Sequence, residues 1–178
     1  QGLSSNMTVF VDKELPIKFV VLKLKNKSGR ERSLSVTGFL EIVLGDVRSK
    51  TNMHILSEHS SSEGALLFRN RYNPAFAERV TFFKMDGAKQ SFTADRSEFI
   101  GRNKTLKQPQ ALFRKKLSGK TGACMDTCGA LQATFELLDG EEKQFVFQLG
   151  NEKDSAAAHG LMQKFSNQEA VNQSLQEV

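Results

Sequence analysis

The sequence predicts a mainly β chain folded as an antiparallel β-sandwich, with helices at its C-terminal end. Three features predict it. Apolar and polar residues alternate over residues 34–44; the alternation returns over 131–137 and 145–149; and beyond residue 150 apolar residues fall at helical spacing instead. Many strands followed by helices fit a sandwich with a helical appendage and do not fit a Rossmann or barrel fold.

In order along the chain, residues 7–11 form a short β-prone run. Residues 15–26 form a stronger one, with Val20, Leu22 and Leu24 on one face and Lys23 and Lys25 on the other. Asn26-Lys27-Ser28-Gly29 supplies a turn, because Gly29 tolerates positive φ and Asn26 and Ser28 bond nearby backbone. The chain returns with Leu34, Val36, Leu40, Ile42 and Leu44 on one parity and Ser35, Thr37 and Glu41 on the other. The two runs read as a long antiparallel hairpin with one buried face. Residues 45–52 are polar and form a loop. Strand candidates follow at 54–56 and 65–69, separated by the Ser-rich segment 60–64, and Asn73-Pro74 marks a turn. Residues 77–85 are β-prone, and Asp86-Gly87 signals a hairpin back into 91–94.

Between Asp95 and Cys128 the periodicity is lost, and Gly101, Pro109, Gly119 and Gly122 punctuate the segment. A weakly patterned stretch of this length suggests a functional or interface loop. Its first part sets Asp95, Arg96, Glu98, Arg102, Lys104 and Lys107 around Phe99, Ile100 and Leu106. Apolar anchors among charges of both signs favour an ordered loop, in which the anchors dock and the charges pair. Leu131, Ala133, Phe135 and Leu137 then alternate with Gln132, Thr134 and Glu136. Past Asp139-Gly140, Phe145, Phe147 and Leu149 alternate with Gln144, Val146 and Gln148, which reads as a further hairpin. Over 156–165, Ala157, Leu161 and Phe165 form one helical stripe. Ser166-x-x-Glu169 is a capping-box pattern for a second helix carrying Val171, Leu175 and Val178. The expected organisation is a sandwich over 1–150 and the start of a helical linker over 151–178, with Val178 still in phase as if inside a longer protein.

The 178 residues suffice for one domain with a real core. No apolar run approaches the ~18 residues of a membrane helix, and the first residues lack the apolar stretch of a signal peptide. The expectation is therefore a cytoplasmic domain. The net charge of +5 permits an anionic partner, yet the densest cluster, Arg114, Lys115, Lys116 and Lys120, is too short to track a phosphate backbone. Nucleic acid is not an expected partner. Cys124 and Cys128 form neither a disulfide framework nor a zinc ligand set and read as reduced, partly buried thiols. His54, His59 and His159 are scattered, which predicts no metal site. Glu41, Asp95, Glu98 and Asp126 are available carboxylates, but any strand protein of this size has as many, and no pattern marks an acid–base pair. A Gly-rich phosphate loop and a G-x-S-x-G elbow are both missing. With 14 Phe, one Tyr and no Trp, the chain has little of the amphipathic aromatic surface on which free-standing sugar-binding modules stack their ligands.

Four blocks together resemble the N-terminal β-sandwich of the inverting glucoside phosphorylases and cyclic β-1,2-glucan synthases of glycoside hydrolase family 94 (formerly glycosyltransferase family 36). They are LPIKFVVLKLKNKSGRERSLSVTGFLEIVLG (15–45), GALLFRNRYNPAFAERVTFF (64–83), TADRSEFIGRNKTL (93–106) and LSGKTGACMDTCGALQATFELLDGEEKQFVFQLG (117–150). The most specific piece is D-R-x-x-F-x-G-R at Asp95, Arg96, Phe99, Gly101 and Arg102. The E-x-V-L-G ending at Gly45 resembles the glucan-synthase branch, whereas Ile42, where that branch often has Trp, and Thr127, where Pro is common, depart from it.

The resemblance implies a galactose-mutarotase-like super-sandwich joined by a helical linker to a catalytic (α/α)6 barrel. The general acid and the site for inorganic phosphate, a co-substrate, would lie in that barrel. This chain would then be inactive alone, with no cofactor of its own. Its implied partners are a glucan or glucosyl oligosaccharide, the (α/α)6 domain and a second copy in a homodimer; a glucan-synthase parent would be membrane-attached. In relatives, the loop after the long strand lies near the dimer interface and the neighbouring subunit's sugar site. That loop is 46–54 here, with Arg48, Asn52 and His54 able to hydrogen-bond sugar hydroxyls. Asp95, Arg96, Phe99 and Arg102 read as a structural loop at a domain interface, with Asp95 pairing to Arg96 or Arg102. The alternative is an independent carbohydrate-binding module.

Overall fold

A computed structural model describes residues 2–178. Its strands are β1 (Leu3–Val11), β2 (Ile17–Asn26), β3 (Arg32–Glu41), β4 (Leu56–Ser60), β5 (Ala65–Arg69), β6 (Val80–Asp86), β7 (Gln90–Asp95), β8 (Thr127–Leu137) and β9 (Glu142–Glu152). They form a six-stranded antiparallel sheet, ordered β1-β2-β9-β6-β5-β4, and a three-stranded one, ordered β3-β8-β7. The helices are α1 (Arg48–Thr51), α2 (Arg96–Ile100), α3 (Ser155–Lys164) and α4 (Gln168–Glu177). The predicted sandwich with C-terminal helices is the observed architecture.

The three predicted hairpins are not hairpins. β2 and β3, β6 and β7, and β8 and β9 lie in opposite sheets, so each turn is a corner between layers. The paired strands are β2 with β9, where Val20 faces Phe147, and β3 with β8, where Val36 faces Ala133. A turn signal reports only that the chain reverses. Strands with one apolar face can meet across a core as readily as they pair edge to edge, and here the core wins.

Two corners lock together through Asn26, which is fully buried. Its Nδ2 donates to the carbonyls of Arg30 at 2.7 Å and Leu137 at 2.9 Å, and its Oδ1 accepts from the Ser28 amide at 3.0 Å. The Gly140 amide donates to the Asn26 carbonyl, and the Gly29 amide to Asp139. The β2–β3 and β8–β9 corners are thus one hydrogen-bonded unit.

Four layers result. Between the sheets lies a core of Leu66, Phe68, Phe83 and Phe147 from the large sheet and Val36, Leu131 and Phe135 from the small one. Ile17, Phe19, Val21 and Val146 point the other way and are covered by Ala158, Leu161, Met162 and Phe165 of α3 and its end. The expected single buried face of β2 is therefore two, because helices cover what would otherwise be the solvent side. Asp154 caps α3 through the Ala157 amide at 2.8 Å. Asn167, one residue past the expected Ser166, caps α4 through the Ala170 amide at 2.9 Å. On α4, Val171 is buried while Leu175 and Val178 are exposed. The fourth layer, residues 96–120, lies on the outer face of the small sheet.

Candidate functional site

The outer face of β8 begins with Cys128 and Ala130, small side chains that leave room for the segment above them. Phe99, Ile100, Ala111 and Leu117 pack there as a separate cluster, and Phe99 stacks on Phe39 of β3 with ring centroids 4.6 Å apart. Burial pushes the Cys128 thiol pKa up to about 12. Asp95 caps α2 by accepting from the Glu98 amide at 3.1 Å and pairs with Lys120 at 3.2 Å. Its partner is therefore Lys120, not Arg96 or Arg102, because capping turns the carboxylate toward the returning 118–120 segment. Glu98 accepts from Thr93 at 3.0 Å, Arg114 at 2.7 Å and Ser118. Gly101 ends the helix at φ 86°, where an added Cβ would meet Gln110 Cβ at 2.7 Å. Arg102 is exposed, and no ion pair among the described residues includes it.

Arg96 leaves this layer. Its guanidinium reaches Glu41 at the end of β3 at 2.7 Å and Asp126 at 3.4 Å, and Asp126 also pairs with Arg48 of α1. A chain Glu41–Arg96–Asp126–Arg48 thus ties the signature helix to the 46–54 loop. Arg48 serves this network and does not stand free toward a ligand. The four carboxylates singled out in the sequence, Glu41, Asp95, Glu98 and Asp126, are all held by cations here. Asp126→Asn is expected to cost about 1–2 kcal/mol, the buried-pair penalty discounted because these side chains are roughly a quarter exposed. A urea midpoint indistinguishable from that of the unsubstituted chain would show that solvent screens the network.

The other side of the 46–54 loop faces residues 70–74. Asn70, fully buried, donates to the Leu44 carbonyl at 3.0 Å and accepts from the amides of Tyr72 at 3.2 Å and Asn73 at 3.3 Å. Gly45 is required by close approach: a Cβ there would lie 2.5 Å from Thr51 Cγ2 and 2.9 Å from Asn73 Nδ2. So held, the two loops enclose a cleft of ≈ 180 Å³ lined by Asp46, Lys50, His54, Asn70, Tyr72 and Asn73. On its wall the His54 ring stacks on Tyr72, centroids 4.0 Å apart at 13°, and Tyr72 is 75% exposed. The Lys50 ammonium, hydrogen-bonded to Asp46 at 3.1 Å, holds that carboxyl below its usual range. An aromatic face beside amide and charged groups suits a ring with an apolar face and hydroxyl edges, as in a pyranose. No group of His, Cys, Asp or Glu among the described residues could hold a metal.

Comparison with known proteins identifies this arrangement. The model of the glycosyl hydrolase 94 supersandwich domain matches residues 1–168. The chain belongs to that family. The supersandwich domain is 38% identical to the cyclic beta-(1,2)-glucan synthase NdvB of Rhizobium meliloti over 79% of this chain and 5% of that protein. It is 26% identical to the N,N'-diacetylchitobiose phosphorylase of Vibrio proteolyticus over 84% of this chain and 19% of the relative. It is also 26% identical to the solabiose phosphorylase of Paenibacillus borealis, over 92% of this chain and 22% of the relative. The chain therefore spans at most about a fifth of the length of these relatives. The match runs through α3 and ends at Gln168, the first residue of α4.

Of the residues singled out in the sequence, His54 lines the cleft, Asn52 sits half-buried in the 3₁₀ turn behind it, and Arg48 belongs to the ion-pair network. Sequence reasoning missed Tyr72, Asn70 and Asn73. The one available signal was that the only tyrosine stands immediately before the Asn73-Pro74 turn.

Proposed function

We propose that this supersandwich domain is the non-catalytic, carbohydrate-associated part of a glucan phosphorylase or cyclic β-1,2-glucan synthase. There it supports dimerisation and active-site closure during inverting glucoside phosphorolysis or transfer, beside a catalytic (α/α)6 domain that supplies the acid and binds phosphate. The observation that carries this reading is the cleft in which Tyr72, stacked on His54, presents a preformed aromatic face beside Asp46, Lys50 and Asn73. The length of the relatives supports it as well, since each carries several times more chain than this domain.

With one Tyr and no Trp, tyrosine emission reports on Tyr72 alone. Titration with β-1,2-linked gluco-oligosaccharides is expected to change that emission saturably. Tyr72→Ala, followed by calorimetry, should weaken binding about tenfold, the scale of one aromatic stacking contact. Emission that stays flat up to the solubility limit of the sugar would sink the reading. Incubated with glucan and phosphate, the domain alone should release no sugar phosphate; release would contradict its non-catalytic role.

The high exposure of Tyr72 also favours a second reading, an independent carbohydrate-binding module. A module of that kind would bind equally well with or without the catalytic domain, whereas an accessory domain gains affinity when the two are joined.

A further inference from the structure

The layer over the small sheet has an outer surface that the carbohydrate reading does not use. From Phe99 to Met125 the chain has no Asp or Glu and seven Lys and Arg, while the whole chain is only +5, so the remainder is net acidic. Two of the seven are answered locally, Arg114 by Glu98 and Lys120 by Asp95. Arg102, Lys107, Lys115 and Lys116 enter no ion pair among the described residues, and Lys104 lies over the Phe113 ring, 5.5 Å from its centroid. Among these cations, Leu106, Leu112 and Phe113 are 50%, 49% and 62% exposed. The segment's inward apolar residues, Phe99, Ile100, Ala111 and Leu117, are already docked on the sheet, so these three are a second, outward apolar set. Beside them Lys89, Lys115 and Lys116 rim a cleft of ≈ 400 Å³ floored by Ser91, Gln132 and Thr134.

We propose that this face seats the domain on an anionic lipid surface. Leu106, Leu112 and Phe113 enter the boundary between headgroups and acyl chains, while the surrounding cations stay at the phosphates, one headgroup reaching the Lys89–Lys115–Lys116 cleft. Charge complementarity selects an anionic partner. The apolar tips select lipid over nucleic acid, because exposed apolar side chains are interspersed with the cations between Arg102 and Lys116, and leucines gain nothing in a polyanion groove.

The test is co-sedimentation of the chain with phosphatidylcholine vesicles, with and without phosphatidylglycerol. Binding is expected only to the anionic vesicles and should fall as salt is raised. Lys115→Gln and Lys116→Gln should each weaken it about fivefold, the fold-change that corresponds to one charge at such a surface. Leu112→Ser with Phe113→Ser should weaken it about tenfold or more while leaving retention on heparin, a soluble polyanion, unchanged. All four side chains are exposed, so unfolding midpoints should not move. Equal binding to both vesicle types overturns the proposal, as does heparin or DNA binding without vesicle binding. Full vesicle binding by the Ser variant overturns it too.

Discussion

Phe99→Ala is expected to lower the unfolding free energy by about 3–5 kcal/mol, the range for truncating a buried aromatic side chain. Phe99 is the central anchor of the outer layer: it stacks on Phe39 and shares a cluster with Ile100, Ala111, Leu117 and Cys128. The charges around it hold the layer in place, but each pair at the surface contributes little, so the layer's attachment rests on this cluster. The substitution therefore has a second readout. Cys124 is exposed, whereas burial raises the Cys128 thiol pKa to about 12. A thiol reagent at neutral pH should label one cysteine rapidly in the unsubstituted chain and both in Phe99→Ala. A wild-type urea midpoint together with a single reactive thiol would mean that the layer is held by its ion pairs instead.

Asn26→Ala is expected to cost about 2–4 kcal/mol, since two buried carbonyls, Arg30 and Leu137, lose their donor at once. Asn26→Asp should be about as damaging, because a carboxylate cannot donate to either. Asn6, which like Asn26 heads an Asn-x-Ser/Thr sequence, lies exposed on β1, and Asn6→Ala should change stability by no more than about 0.5 kcal/mol. Equal midpoints for Asn26→Ala and Asn6→Ala would show the corner to be dispensable. The same geometry bars a glycan from Asn26, whose amide nitrogen is committed to both carbonyls.

These two sites mark how far the sequence could be read. At Asn26 the turn chemistry was legible, but its role as the clasp between two corners was not, because Leu137 lies 111 residues away. At Phe99 the signature was legible as an ordered loop with anchors. The short helix α2 that Asp95 caps was not read within that loop, and neither was the ion-pair partner of Asp95. Lys120 is 25 residues on, and nothing local distinguishes it from Arg96 or Arg102. In the cleft, His54 stood in a segment picked out by resemblance, yet the side chain it stacks on is Tyr72, from a different turn.

Legible in the residues themselves is the local grammar: where strands alternate, where the chain reverses, where the two C-terminal helices lie, and which signature places the chain in its family. Period-two and helical spacings are short-range properties of the backbone, and they are written into neighbouring residues. The packed fold alone sets which strands pair, that the apparent hairpins cross between sheets, and that β2 is covered on both faces. It also decided which cation answers each carboxylate and that loops 46–54 and 70–74 share one cleft. Those outcomes come from the competition among many equivalent apolar faces and charges for partners distant in the chain. That competition is resolved by packing the whole core at once.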